Sequence, residues 1–236
     1  MEQQHIGILR LIKSALIGQP QPLPEGFSLE QAYPLVREHQ LQPMIYEGAV
    51  VCGFSRQLPV MKQLFQEYCR ALMRSEGQMK AVDELCAAFE QGGVDYLFFK
   101  GSVLKRLYPK PELRPMGDAD VLIRTQQQPQ ADEILQRLGY EWKVENEQEA
   151  LWYSPALALE PHRSLVSAKD RDFYSYFGDG WQLVERDKDG KARLSPEDEF
   201  AFVFVHMAKH YRGGGIGVRQ LVDLWVYERM VPQLDD

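Results

Sequence analysis

The sequence predicts an α+β protein, a small mixed-sheet core flanked by N-terminal and C-terminal helices. Three observations carry that reading. Apolar residues recur at helical spacing through residues 1–91. Two short apolar runs, Tyr96–Phe99 and Val121–Ile123, have strand character and are separated by a glycine turn and a proline-rich loop. A helix-start signature, Ser195-Pro196 with Asp198 three residues after the cap, opens the C-terminal part. The expected organisation is a helical region over 1–91, an α/β core over 92–194 and C-terminal helices over 195–236.

In chain order, Ile6, Ile8, Leu9, Leu11 and Ile12 begin an amphipathic helix that ends near Gly18. Residues 19–26 hold three prolines and form a loop. Ser28 caps a helix from Leu29 to about His39, and Leu41–Val51 gives another. A long helix runs from Val60 to Gln91 and stops at Gly92-Gly93. Its apolar positions Leu64, Tyr68, Leu72, Met79, Val82, Leu85 and Phe89 are read as packing residues.

The segment Val94–Arg124 carries the chemistry. Strand Tyr96–Phe99 ends at Lys100-Gly101-Ser102. Glycine permits close backbone approach, and Ser102 is expected to cap the next helix and offer its hydroxyl to an anion. A helix start there presents N–H groups and a positive dipole end to phosphate. The next strand opens with Asp118-Ala119-Asp120. Alternate strand residues share a face, so both carboxylates aim at one spot, with Cα atoms roughly 6–7 Å apart. Two such charges repel unless a proton or a cation intervenes. Oxygen ligands favour Mg²⁺ or Mn²⁺. A phosphate cradle thus stands one βαβ step from a metal-binding acid pair, the logic of metal-assisted nucleotidyl transfer.

After the acids, Gln127–Leu138 fits a helix ended by Gly139, followed by strands at Tyr140–Val144 and Ala156–Glu160. Asp187–Gly190 is a turn signal between short strands at Trp181–Arg186 and Lys191–Leu194. Helices follow at Phe200–Tyr211 and about Val218–Met230. His206 and His210 lie four apart on one helical face. Met207 stands where a zinc protease needs glutamate, which argues against that activity. No Gly-Lys-Ser/Thr follows the triple glycine at 213–215, so it is not a Walker loop.

Gly-Ser after one strand and Asp-x-Asp on the next resemble the polymerase-β-type nucleotidyltransferase superfamily. The fuller string of Lys100-Gly101, Tyr108-Pro109, Arg114, Met116, Asp118 and Asp120 is similar to the uncharacterised bacterial nucleotidyltransferase-like family. The resemblance implies a third carboxylate on a neighbouring strand, which falls on Glu160, and a Glu-x-His pattern, which adds His162. It implies a nucleoside triphosphate donor, ATP by default. Asp118, Asp120 and Glu160 would hold Mg²⁺ or Mn²⁺ and perform catalysis, and Lys100, Gly101, Ser102, Arg114 and His162 would bind the nucleotide. It also implies a histidine-bearing helix followed by an aspartate-bearing one, matching His206, His210 and Asp223.

The net charge of −7 opposes a general nucleic-acid binder, leaving only a local basic patch at Lys100, Lys105, Arg106, Lys110 and Arg114. The expected acceptor is therefore a small molecule or a protein hydroxyl in preference to nucleic acid. Three scattered cysteines and the lack of a signal-peptide pattern imply a reducing cytoplasm. No apolar stretch is long enough to span a bilayer. The alternative reading is a non-catalytic nucleotide-binding or antitoxin-like regulatory module with the same fold.

Overall fold

The computed structural model describes residues 2–144, 150–188 and 190–231. The chain forms two compact units. The first comprises residues 1–76, 105–115 and 217–219, and the second comprises 77–104, 116–216 and 220–236.

The first unit is helical. It holds α1 (Glu2–Ile17), α2 (Leu29–Glu38), α3 (Gln42–Val51) and the first half of α4 (Pro59–Gly92). Ser28 caps α2 as expected, its hydroxyl accepting from the Gln31 N–H at 3.3 Å. Leu11, Val36, Leu41, Met44, Ile45 and Leu64 are wholly buried. The helices α1 and α3 approach so closely that a Cβ on Gly48 would fall inside the van der Waals shell of the Leu11 carbonyl. Lys105 belongs to this unit and is buried rather than part of a basic patch. Its Nζ donates to the Arg114 carbonyl at 2.7 Å, and burial pulls its ammonium down to about 8. Lys110 is paired with Glu47 at 2.6 Å.

The second unit is built on a five-stranded mixed sheet. Its strands are β1 (Tyr96–Phe99), β2 (Asp118–Ile123), β3 (Glu141–Val144), β4 (Ala150–Tyr153) and β5 (Ala158–His162), in the order β1-β2-β5-β4-β3. Only β2 and β5 pair in parallel; the other neighbours are antiparallel. The expected βαβ step is therefore not one: β1 and β2 run antiparallel. The connection between them carries the seven-residue α5 (Gly101–Leu107), which rises about 10 Å.

Parity sorts the sheet's side chains. Ala119, Val121, Ile123 and Leu159 join a core with Val82, Leu85 and Phe89 of α4, and with Ile134 and Leu135 of α6 (Gln128–Arg137). Leu97, Phe99 and Leu122 point the other way. They pack with Phe177 of α7 (Arg171–Phe177) and Phe202 of α8 (Pro196–Gly213). A two-stranded ribbon, β6 (Val184–Arg186) with β7 (Ala192–Leu194), precedes α8, and α9 (Val218–Met230) closes the order.

Three local expectations change. The strand expected at Ala156–Glu160 sits two residues later and includes Pro161 and His162. Proline is tolerated because β4 pairs with β5 only at Ala158 and Leu159, which leaves the far end of β5 bonded on one side. β4 and α7 were not foreseen, and Trp181–Leu183 forms a 3₁₀ turn before a shorter β6. Of the turn expected at 187–190, residue 189 lies outside the described residues.

Candidate metal and anion site

Strand parity assembles the site. Asp118 and Asp120 occupy the face of β2 that also carries Leu122, the α8 side of the sheet. The parallel register sets Asp120 directly opposite Glu160, with His162 two residues further along the same face of β5. Asp120, Glu160 and His162 each present one ligand atom, all within 4.8 Å of one another, the one such group among the described residues.

The anchor is Asp120, whose side chain is 8% exposed. Its Oδ1 meets His162 Nε2 at 2.9 Å and Lys100 Nζ at 2.7 Å. His162 Nε2 also lies 3.4 Å from Glu160 Oε2, and its ring meets Phe99 edge-on at 5.2 Å between centroids. The antiparallel register places Phe99 opposite Asp120, so Lys100 leaves β1 beside the carboxylate.

Lys100 reaches it from an unusual backbone, with φ at 51°, in the left-handed region that non-glycine residues seldom adopt. The sequence placed the conformational freedom on Gly101; the structure places the left-handed turn one residue earlier. The expected Ser102 cap is not formed either. α5 begins at Gly101, and the Ser102 hydroxyl, 2% exposed, donates back to the Phe99 carbonyl at 3.3 Å. Arg114 belongs to the first unit, where it is 8% exposed.

The electrostatics are uneven. Burial works to raise the Asp120 carboxyl, but the His162 hydrogen bond and the Lys100 charge outweigh it, so its pKa lies below the usual range. At Asp118, burial, then repulsion from Asp120 and Glu160, outweigh a backbone hydrogen bond and the Lys100 charge and push the carboxyl up. Glu160 is lowered by its bond to His162 against the effect of burial. His162 is raised: burial opposes its charge, and the two carboxylates more than compensate.

Two carboxylates and an imidazole converging in this way suit a divalent cation. The half-buried Asp118, raised by desolvation and then by like charges, is a further oxygen donor that a cation would relieve.

Beside this group lies a pocket of about 780 Å³, bounded by Lys100 and His162, by the 163–168 loop and by one face of α8. His206 and His210 line it, with Nε2 atoms 3.0 Å apart. Burial, then Lys100 and His210, hold His206 neutral, its pKa down to about 3. Asp223, matched to an aspartate-bearing helix, is buried on α9. The sequence reading missed Arg163 and Lys209 as lining residues. Lys209 was legible: Val205, His206, Lys209 and His210 recur at helical spacing on one face.

A family model described as an uncharacterised nucleotidyltransferase matches residues 25–236. No curated protein matches the chain. Three solved structures are similar at low identity. The solution structure of the antibiotic-resistance factor ANT(2'')-Ia is 11% identical, covering 65% of this chain and 83% of that one, with a TM-score of 0.47. The crystal structure of ANT(2'')-Ia with adenylyl-2''-tobramycin is 12% identical, covering 64% and 87%, with a TM-score of 0.44. An antigenic nucleotidyltransferase-like protein from Paracoccidioides brasiliensis is 16% identical, covering 67% and 77%, with a TM-score of 0.45.

Proposed function

The chain belongs to the uncharacterised nucleotidyltransferase family, and we propose that it moves a nucleoside monophosphate from a nucleoside triphosphate, ATP by default, to a hydroxyl acceptor at the Asp120 site. The observation that supports this most is the Asp120–Glu160 register with His162 at its end, which gathers three metal-ligating side chains.

Asp120 and Glu160 would hold Mg²⁺ or Mn²⁺, with Asp118 as the further carboxylate on the same strand face and His162, an imidazole that suits Mn²⁺ better than Mg²⁺, at the end of the group. The ion, when bound, supplies charge neutralisation and polarisation of the phosphates. Lys100 adds a positive charge beside them. The acceptor oxygen attacks the α-phosphorus, the bond from that phosphorus to the bridging oxygen breaks, and pyrophosphate leaves. The acceptor proton passes to Glu160, at 31% side-chain exposure the more accessible of the paired carboxylates, and from there to solvent. Positioning and electrostatic stabilisation do most of the work in such transfers.

One observation favours a second reading. Lys100 already pairs with Asp120, the most buried of the carboxylates, and supplies a fixed positive charge there, which suits a nucleotide-binding module that works without metal. Transfer of label from α-³²P-ATP, run against γ-³²P-ATP with Mn²⁺, separates the readings. Incorporation of α-label alone, lost in Glu160→Gln, supports nucleotidyl transfer. Nucleotide binding without metal dependence or incorporation supports the module.

A further inference from the structure

We infer that the pocket beside the metal group receives an anionic, phosphate-bearing part of the acceptor, so that the enzyme modifies a phosphorylated small molecule. This rests on the nucleotidyl-transfer reading given above.

Three observations carry it. The first is charge. In a chain with net charge −7, the pocket lining holds three cationic side chains, Lys100, Arg163 and Lys209, of which Lys100 also pairs with Asp120 outside the lining. None of the described lining residues is Asp or Glu. Lys209 is paired at 3.0 Å with Asp170, which is not among the lining residues. A cavity walled by one sign of charge raises the local concentration of ligands of the other.

The second is position. Lys100 and His162 both contact Asp120 and both line the pocket, so the cavity opens onto the reaction site rather than lying elsewhere on the unit. The carboxylates stay on the metal side. A phosphate held in the pocket would place its own carbon skeleton, and a hydroxyl on it, towards the α-phosphorus.

The third is size and floor. A volume of about 780 Å³ exceeds what a lone phosphate needs and lies in the range of small-molecule sites. Phe202 and Val205 of α8 and Leu165 and Val166 of the loop supply apolar surface for a skeleton. The hydroxyls of Ser164 and Ser167 stand on the same loop.

The test uses equilibrium dialysis with ³²P-labelled inorganic phosphate as probe on the full chain. The proteins are wild type, Arg163→Ala/Lys209→Ala, and Arg163→Lys/Lys209→Arg, which keeps the charge. Each is measured with and without Mn²⁺ and α,β-methylene-ATP, which occupies the donor site without reacting. The expected result is saturable phosphate binding that persists with the analogue bound, weakens at least tenfold in the alanine variant and is retained in the charge-keeping one. Absence of saturable binding in wild type, or equal binding in all three proteins, overturns the site. Loss in both variants alike also overturns it, as damage to the pocket wall. Displacement of phosphate by the analogue overturns the acceptor assignment and gives the pocket to the donor's phosphates. Failure of the nucleotidyl-transfer reading shows separately, as absent α-label incorporation with phosphate binding intact.

Discussion

Lys100 Nζ lies 2.7 Å from Asp120 Oδ1, and the lysine reaches it from a left-handed backbone with φ at 51°. A non-glycine residue in that region costs on the order of 1 kcal/mol, and such conformations persist where surrounding contacts fix them. The ammonium holds one of the two carboxylate oxygens that a metal could take. Lys100→Met should therefore tighten Mn²⁺ binding severalfold, read by titration calorimetry. It should lower nucleotidyl transfer by about a hundredfold, because a charge that stabilises the transferring phosphates is gone. Unchanged Mn²⁺ affinity would show that lysine and metal do not compete for Asp120.

Asp118 and Asp120 share a strand face but differ in support. Asp120 has His162 and Lys100 on one oxygen, whereas Asp118 is raised by burial and by its acidic neighbours. In metal-free buffer near neutral pH, Asp120→Asn should destabilise the fold by about 1–3 kcal/mol, since it removes the buried partner of two half-buried charges. Asp118→Asn should raise the melting temperature, because an unfavourable charge is lost. Both should abolish transfer. Thermal melts beside an α-label assay check this, and equal destabilisation by both would mark the two acids as structurally equivalent.

The site was legible where it depends on strand parity and residue type. Asp118 and Asp120 announce a shared face by their spacing. Glu160 and His162 also alternate, although their strand begins two residues later than expected, because Pro161 reads as a strand breaker until one-sided pairing is known. Lys100 was visible as a charge beside a glycine, but its left-handed turn was not, since glycine is the local default for positive φ. The antiparallel β1–β2 pairing and α7 depend on tertiary packing that local periodicity does not encode. The long N-terminal helices were the most legible part, because helical spacing over many turns leaves few alternatives.

Gly48 marks a close approach of α1 and α3. A methyl there would press on the Leu11 carbonyl, which is backbone and cannot rotate aside. Gly48→Ala should cost about 1–3 kcal/mol despite the better helix propensity of alanine. Urea denaturation of the two proteins measures it. A stabilised Gly48→Ala would show that the helices separate at little cost.

Glu199 gives a pH-dependent handle away from the site. Its Oε2 lies 3.1 Å from the Tyr227 hydroxyl, which also sits 3.0 Å from the Pro196 carbonyl. One hydroxyl proton cannot serve both acceptors at once. A protonated Glu199 resolves the conflict by donating to Tyr227, which then donates to Pro196. Burial raises the carboxyl from 4.5 to about 6, and the Tyr227 hydrogen bond opposes the shift only in part. Because the folded pKa exceeds the unfolded one, the native state binds the extra proton between those values. The stability this contributes is full below pH 4.5 and is lost as pH rises through about 6. Glu199→Gln keeps a donor to Tyr227 without the charge. It should be more stable than wild type by about 1–2 kcal/mol at pH 7, with the advantage shrinking as pH falls towards 4.5. Taking the difference between the two proteins removes the contribution of His162, which titrates in the same direction. Parallel stability profiles between pH 4.5 and 7 would show that Glu199 holds no extra proton in the fold.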